Sequence, residues 1–277
     1  MNFIVKEEIE LLEFLYQNIN KSKNSVKNIL KDNTYVNDKK ISKFNYILRE
    51  NDIVSIKNKI DNIEIIYEDK DLIVVNKPSG LLTISTTKEK ENTLYHMISN
   101  YVKKINKNNK IFVVHRLDKD TSGIVMFVKS EKLKNKLQDD WNNLVKLREY
   151  IALVEGITNA EGTIKSYLKE NKNGYVYSTN DKSGKLAITN YEKIKNNDKY
   201  SLLRINIETG RKNQIRVHMS NIKHPVVNDI KYGFKNESIK GLGLHSSKLE
   251  VMNPISKKIM KFECDFPNIF EKVFNVK

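Results

Sequence analysis

The sequence predicts an α+β protein, in which a small N-terminal α/β module precedes a large domain on a mixed, largely antiparallel sheet. Three observations carry that prediction. Short β-branched apolar runs interleave with amphipathic helical segments along the 277 residues. Residues 150–208 read mostly as strands separated by turns at Asn173-Gly174 and Ser183-Gly184. Residues 1–60 read as a unit of their own, helical first and stranded afterwards, with the polar stretch 57–63 as a linker to residues 61–277.

Taken in order, Leu11, Leu12, Leu15 and Ile19 recur at helical spacing, and Ser25 is expected to cap a second helix carrying Val26, Ile29 and Leu30. Residues 35–36 and 53–56 follow as short strands, with a polar turn at 37–40. Residues 63–67 and 71–75 are apolar runs divided by Glu68-Asp69-Lys70, and Lys77-Pro78-Ser79-Gly80 ends the second. Leu94, Ile98, Tyr101, Val102 and Ile105 fall on one helical face. Residues 111–114 and 124–128 are strands around a polar nonapeptide, and Ser130 opens a helix expected to carry Leu133, Leu137, Trp141 and Leu144.

Composition excludes several classes. The only cysteine, Cys264, rules out a disulfide scaffold and any multi-cysteine zinc site. No apolar run exceeds five residues (Ile124–Val128 is one), far short of the ~20 that a membrane-spanning helix needs. Glu7, Glu8, Glu10 and Glu13 are foreign to a secretory signal, so the expected location is the cytoplasm. A net charge of +15 favours an acidic partner, nucleic acid first, over a lysine-rich surface that merely keeps the protein in solution. Residues 21–59 alone hold ten Lys or Arg against four Asp or Glu, so the N-terminal module reads as RNA-binding.

The split of the positive charge is more informative than its sum. Of 49 basic residues only six are arginine (Arg49, Arg116, Arg148, Arg204, Arg211 and Arg216), and only ten residues are glycine. In a chain that uses Lys wherever Lys serves, the remaining arginines mark places where a bidentate fork is needed. Two segments stand out on that basis. His115-Arg116-Leu117-Asp118-Lys119-Asp120-Thr121-Ser122-Gly123 is a polar run held between two apolar strands, the usual setting of catalytic groups, although a plain hairpin loop would also read this way. Thr209-Gly210-Arg211-Lys212-Asn213-Gln214-Ile215-Arg216-Val217-His218 follows an apolar strand and holds two of the six arginines.

These segments resemble the pseudouridine synthases of the large-ribosomal-RNA type. Residues 115–123 match that family's His-Arg-Leu-Asp-x-x-Thr-Ser-Gly signature without a gap. Residues 75–82 look like its first motif, 148–154 like the segment with its active-site tyrosine, and 209–218 like its arginine motif. Residues 224–229, Tyr232-Gly233 and Leu244-His245 look like later landmarks, and residues 1–60 are similar to the S4-like RNA-binding domain that often precedes such enzymes. The resemblance implies the pseudouridine synthase fold and the conversion of uridine to pseudouridine. In that reaction the N1–C1′ bond breaks, the uracil turns, and the base is rejoined through C5. No redox change occurs, so neither cofactor nor metal is expected.

On this reading Asp118 is the carboxylate that acts at the sugar, by attack on C1′ or by removal of the 2′ proton, and Arg216 is its partner cation. Tyr150, expected as catalytic too, stacks on the extruded base and assists proton transfer at C5. Arg116, Lys77, Arg211 and Leu244 bind substrate, with Lys77 and Pro78 also buttressing the site. The sequence departs from the family in having Asn213 for His, Asn228 for Gly and Ser246 for Ala. The expected partner is RNA, ribosomal before transfer RNA, and the expected state is a monomer. Two rivals remain. A nucleoside glycosidase would use two carboxylates flanking the bond, and Asp120, two residues on, is the nearest partner that the sequence offers Asp118. A non-catalytic RNA-binding protein would explain the charge but not the ordered motifs.

Overall fold

The computed structural model describes residues 2–275, except 21, 38, 57–58, 61–62, 88 and 237 and the side chains of 32 and 59. The chain divides into two compact units at 65/66. The sequence places the boundary at 60. The linker positions 57–58 and 61–62, and Asp38 of the expected turn, lie outside the described residues.

The first unit contains β1 (Asn2–Ile4), β2 (Ile9–Glu10), α1 (Leu11–Asn18), α2 (Lys23–Asn33), β3 (Thr34–Val36), β4 (Lys39–Lys40), β5 (Ile47–Leu48), β6 (Ile53–Ile56) and β7 (Lys59–Ile60). Four strands form a sheet in the order β1-β6-β3-β4, and β2 pairs with β5. Leu11 and Leu15 of α1, Val26 and Leu30 of α2, and Val36, Leu48 and Val54 close one core. The cap of α2 is Ser22, not Ser25: the helix starts at Lys23, and the Ser25 N–H donates to Ser22 Oγ at 3.4 Å. Ser25 thus lies in the first turn, where its backbone is the donor that a cap satisfies.

β8 (Ile63–Glu68) carries the chain from the first unit into the second. There follow β9 (Leu72–Lys77), α3 (Leu94–Ile105), β10 (Phe112–Val113), β11 (Ser122–Val128), α4 (Glu131–Asp139), α5 (Trp141–Leu144), β12 (Val145–Glu155), β13 (Glu161–Glu170) and β14 (Val176–Thr179). The rest are β15 (Lys185–Asn196), β16 (Tyr200–Ile207), α6 (Gln214–Asn221), β17 (Leu244–Met252), β18 (Ile259–Glu263) and α7 (Ile269–Lys272). The large sheet runs β14-β13-β15-β16-β12-β17-β11-β9-β8, with β10 on β11 and β18 on β17. Every registered pair in it is antiparallel except β11 with β17. The mixed, largely antiparallel sheet is as the sequence predicts.

β11 is buried along its whole length, which explains its unbroken apolar run. The expected helix after Ser130 breaks in two. Asp140 leaves helical geometry at φ −132°, ψ 29°, and its carboxylate accepts from the side-chain amide of Asn143. Alternation along β12 decides which side chains face the site. Ala152 and Val154 pack with Ile215 and Met219 of α6, while Ile151 and Leu153 pack with Phe270 of α7. Tyr150 therefore lies on the α6 side.

β11 and β17 meet over only two registered pairs, Ser122 with His245 and Gly123 with Ser246. Gly123 has φ +111°, and a Cβ there would lie 2.2 Å from the Ser246 carbonyl oxygen. Only glycine fits this approach. Beside it, Ser122 Oγ lies 2.9 Å from His245 Nδ1, and His245 Nε2 lies 3.2 Å from Cys264 Sγ.

Candidate active site

The polar segment between β10 and β11 forms one wall of a cavity of about 530 Å³. This loop contributes Arg116, Leu117 and Asp118. β12 contributes Arg148 and Tyr150, the turn before α6 contributes Arg211 and Lys212, α6 contributes Arg216, and β17 contributes Leu244. Six of the seven expected site residues (Asp118, Tyr150, Arg216, Arg116, Arg211 and Leu244) thus line one cavity.

The loop is held from behind. Ser79 Oγ donates to the Asp120 carbonyl at 2.6 Å, the Gly80 N–H donates to the Lys119 carbonyl at 3.0 Å, and Thr83 Oγ1 donates to the Leu117 carbonyl at 2.8 Å. Its first residue is tied to β11, because the Met126 N–H donates to His115 Nε2 at 3.0 Å. Burial, helped by Arg148, pushes the His115 pKa down to about 4, so this ring is neutral near pH 7.

Lys77 is the exception among the expected residues. It has no exposed surface, and its ammonium donates to the carbonyls of Pro78 at 3.0 Å, Leu81 at 2.8 Å and Lys119 at 2.8 Å. Those three acceptors use all its donors, so Lys77 binds the loop and not a substrate. Burial lowers its pKa to about 7, opposed by Asp120 and Asp118.

The Arg216 side chain also differs from expectation. Its ion pair is with Asp229, which accepts from Nε and Nη2 at 2.7 Å each, and Nη1 donates to Asn213 Oδ1 at 3.2 Å. Asp229 has no exposed surface and also accepts the backbone N–H groups of Lys231 and Tyr232. A bidentate fork can serve one carboxylate this way, so Arg216 acts on Asp118 through charge and not as its paired ligand. Burial holds the Asp118 carboxyl above the usual aspartate range, against the lowering effects of Arg216, Arg116, the Asn213 backbone N–H and Lys77. The carboxyl group thereby stands partly dry among cations. Asp120, the other candidate carboxylate, does not line the cavity. Glu170 does, at the rim, where it pairs with Lys212.

Burial pushes the Tyr150 phenol up to about 12, so it is protonated throughout the physiological range. Arg148 donates to the Glu208 carbonyl and packs against Gly210, where a Cβ would stand 2.8 Å from its Nη1. Arg211 Nε donates to the Leu186 carbonyl at 2.9 Å. Among the described residues, Arg116, Arg148 and Arg211 form no ion pair. Arg148, Trp141, Lys212 and Asp229 were not singled out from the sequence as site residues. Arg148 belongs to the scarce arginines and Trp141 is the only tryptophan, so rarity marked two of the four.

The family profile described as RNA pseudouridylate synthase matches residues 71–221, more than half of the chain. The chain belongs to this family. Its reaction is the isomerisation of uridine in RNA to pseudouridine. Among curated relatives, an uncharacterised RNA pseudouridine synthase of Mycoplasma genitalium is 35% identical over 257 residues, 86% of this chain and 82% of the relative. The ribosomal large subunit pseudouridine synthase D of Borreliella burgdorferi is 36% identical over 217 residues, 75% of this chain and 66% of the relative. Among solved structures, human RNA pseudouridylate synthase domain containing 4 superposes with a TM-score of 0.63 at 20% identity, covering 76% of this chain and 91% of that one, a likeness of fold.

The three departures from the usual family residues have local reasons. Asn213 and Asn228 sit at φ +53° and +60°, left-handed positions that Asn tolerates better than most residues. The Asn213 amide donates to the Tyr232 hydroxyl at 3.0 Å while its carbonyl oxygen serves Arg216. The Asn228 amide donates to the Gly241 carbonyl at 2.9 Å. Ser246 pairs across the sheet with Tyr150 and gives its hydroxyl a hydrogen-bonding neighbour. Among the described residues no helix is long and apolar enough to cross a membrane, and no three His, Cys, Asp or Glu gather as metal ligands do.

Proposed function

We propose that this chain isomerises uridines of ribosomal RNA, with Asp118 as the carboxylate that acts at the sugar. One observation carries the assignment: Asp118, Tyr150 and Arg216 come from three separate elements and line the same cavity. Cleavage of N1–C1′ needs a base or nucleophile at the sugar. Attack on C1′ and removal of the 2′ proton both begin from this carboxylate. The freed uracil turns and C5 bonds to C1′. C5 then gives up its proton and N1 takes one, so the base keeps its atoms and no co-reactant is consumed. Arg216 places positive charge opposite Asp118, and Asp229 fixes where that charge stands.

The uridine must leave its stack first, which costs a few kcal/mol. Stacking on an aromatic ring returns ~1–3 kcal/mol, and Tyr150 supplies that ring with Leu244 beside it. Arg116 is exposed at the mouth and fills the place the base leaves, and Arg211 holds phosphate. The N-terminal unit acts as an S4-like RNA-binding domain. Lys23, Lys27 and Lys31 are exposed on α2, with Lys39, Lys40 and Lys43 exposed after it. The relatives named for the ribosomal large subunit favour ribosomal over transfer RNA. On this reading the protein works as a monomer in the cytoplasm.

The test is to map pseudouridines in total RNA from cells with and without the gene, then to treat an unmodified transcript of the affected RNA with purified protein. A C5-linked product at a mapped ribosomal site is expected. Free uracil would make the protein a glycosidase, unchanged RNA a binder, and product confined to transfer RNA would overturn the ribosomal assignment.

A further inference from the structure

The cavity carries an aromatic ring that the isomerisation does not need. Trp141, the chain's only tryptophan, begins α5 and lines the cavity while remaining partly exposed. The break at Asp140 puts it there. Its ring lies on that of His115, with centroids 5.4 Å apart and planes 21° apart. His115 is in turn fixed to β11 through the Met126 N–H. The result is a rigid stack of two flat rings in the cavity wall, with the neutral state of His115 making it a surface for a base more than for a phosphate.

Position separates this ring from the uracil pocket. His115 precedes Asp118 by three residues, at most ~10 Å of chain, which leaves room for a second base but only for an adjoining one. Arg116 stands between the two positions in sequence and is exposed. A volume of about 530 Å³ is within the range that accepts a drug-sized ligand, more than one pyrimidine nucleoside fills. Extruding a uridine also leaves the adjoining base without a neighbour on one side, and an aromatic surface compensates that loss.

We propose that Trp141, backed by His115, is a stacking platform for the nucleotide adjoining the target uridine, so that the enzyme holds two bases of its RNA and not one. The proposal rests on the reading of this cavity as the uridine site. It makes Trp141 a binding and specificity residue whose effect falls on KM and spares kcat, since the contact is the same before and during reaction.

The probe is a short RNA carrying the mapped uridine, with versions in which either flanking nucleotide is abasic. Because no other tryptophan is present, emission from Trp141 reports directly on the platform. Saturating RNA is expected to quench it, and the abasic flank on one side to abolish the quench while binding, followed by anisotropy, persists more weakly. Trp141→Leu, which keeps the apolar packing, is expected to raise KM about 5- to 150-fold, the equivalent of ~1–3 kcal/mol of stacking, with kcat within about twofold. Trp141→Phe is expected to restore most of the affinity. Unchanged emission on saturating RNA, or a Trp141→Leu enzyme with wild-type KM, would overturn the platform while product formation by the wild-type enzyme upholds the uridine site. A wild-type enzyme that makes no product from any RNA would overturn both.

Discussion

Arg216 and Asp229 form a buried bidentate pair, both N–O distances 2.7 Å, and this pair sets the position of the guanidinium that faces Asp118. Removing one partner of a buried pair leaves an uncompensated charge and costs ~3–5 kcal/mol. Asp229→Ala should therefore lower the melting temperature by about 6 °C or more, at ~2–4 °C per kcal/mol for a domain of this size. Product formation should fall at least tenfold in the fraction that remains folded. Calorimetry beside a pseudouridine assay checks both, and wild-type activity in a variant that melts early would make the pair purely structural.

Asp118→Asn should abolish product and leave RNA affinity unchanged, as read by filter binding. It should not destabilise the protein at neutral pH. Burial holds the folded pKa above the unfolded one, so between the two values the folded state binds more protons and stability falls as pH rises. The neutral amide escapes that cost, and the melting temperature at pH 7 should be equal or higher. The same shift moves the acid limb of the wild-type rate profile above the ordinary aspartate range.

Tyr150→Phe keeps the ring and should bind RNA within about threefold of wild type, whereas Tyr150→Leu should lose about 5- to 150-fold, the ~1–3 kcal/mol of a stacked base. With the phenol at about 12, no basic limb below pH 11 should be traceable to its ionisation. A Phe variant that binds as poorly as Leu would remove stacking from the residue's role.

Lys77→Met should act through the loop. Three carbonyls lose their donor, each at ~1–3 kcal/mol where water cannot replace it, so unfolding by urea should show a loss of at least ~3 kcal/mol. At a temperature where the variant is folded, kcat should fall more than KM rises. The reverse split would return Lys77 to the substrate-binding groups.

Arg116→Ala should weaken binding to RNA of any sequence and reduce the slope of log affinity against log salt by about 0.7–0.9, the share of one phosphate contact. An unchanged slope would place Arg116 away from the backbone.

Much of this site was legible because the chain is poor in the residues that matter. Four of the six arginines, Arg116, Arg148, Arg211 and Arg216, line one cavity, as expected if arginine is kept where lysine fails. The strands were legible from β-branched runs whose two faces are both covered, as in β11. What stayed hidden depends on three-dimensional pairing. Nothing in the spacing of Arg216 and Asp229 says that they meet, because the chain turns through the left-handed residues Lys223 and Asn228 between them. The burial of Lys77 depends on three carbonyls, one of them Lys119, far along the chain. The break at Asp140 lies in the backbone angles of one polar residue, which a periodicity of apolar residues does not see.

The close approach of Gly123 to Ser246 has a bearing on how this enzyme can evolve. The strand that delivers Asp118 and the strands that deliver Tyr150 and Leu244 are sewn together over two residues, and no side chain fits at one of them. Even alanine would act as a wedge, parting the carboxylate from the phenol. In a chain otherwise so rich in lysine, asparagine and isoleucine, this one codon has no second reading.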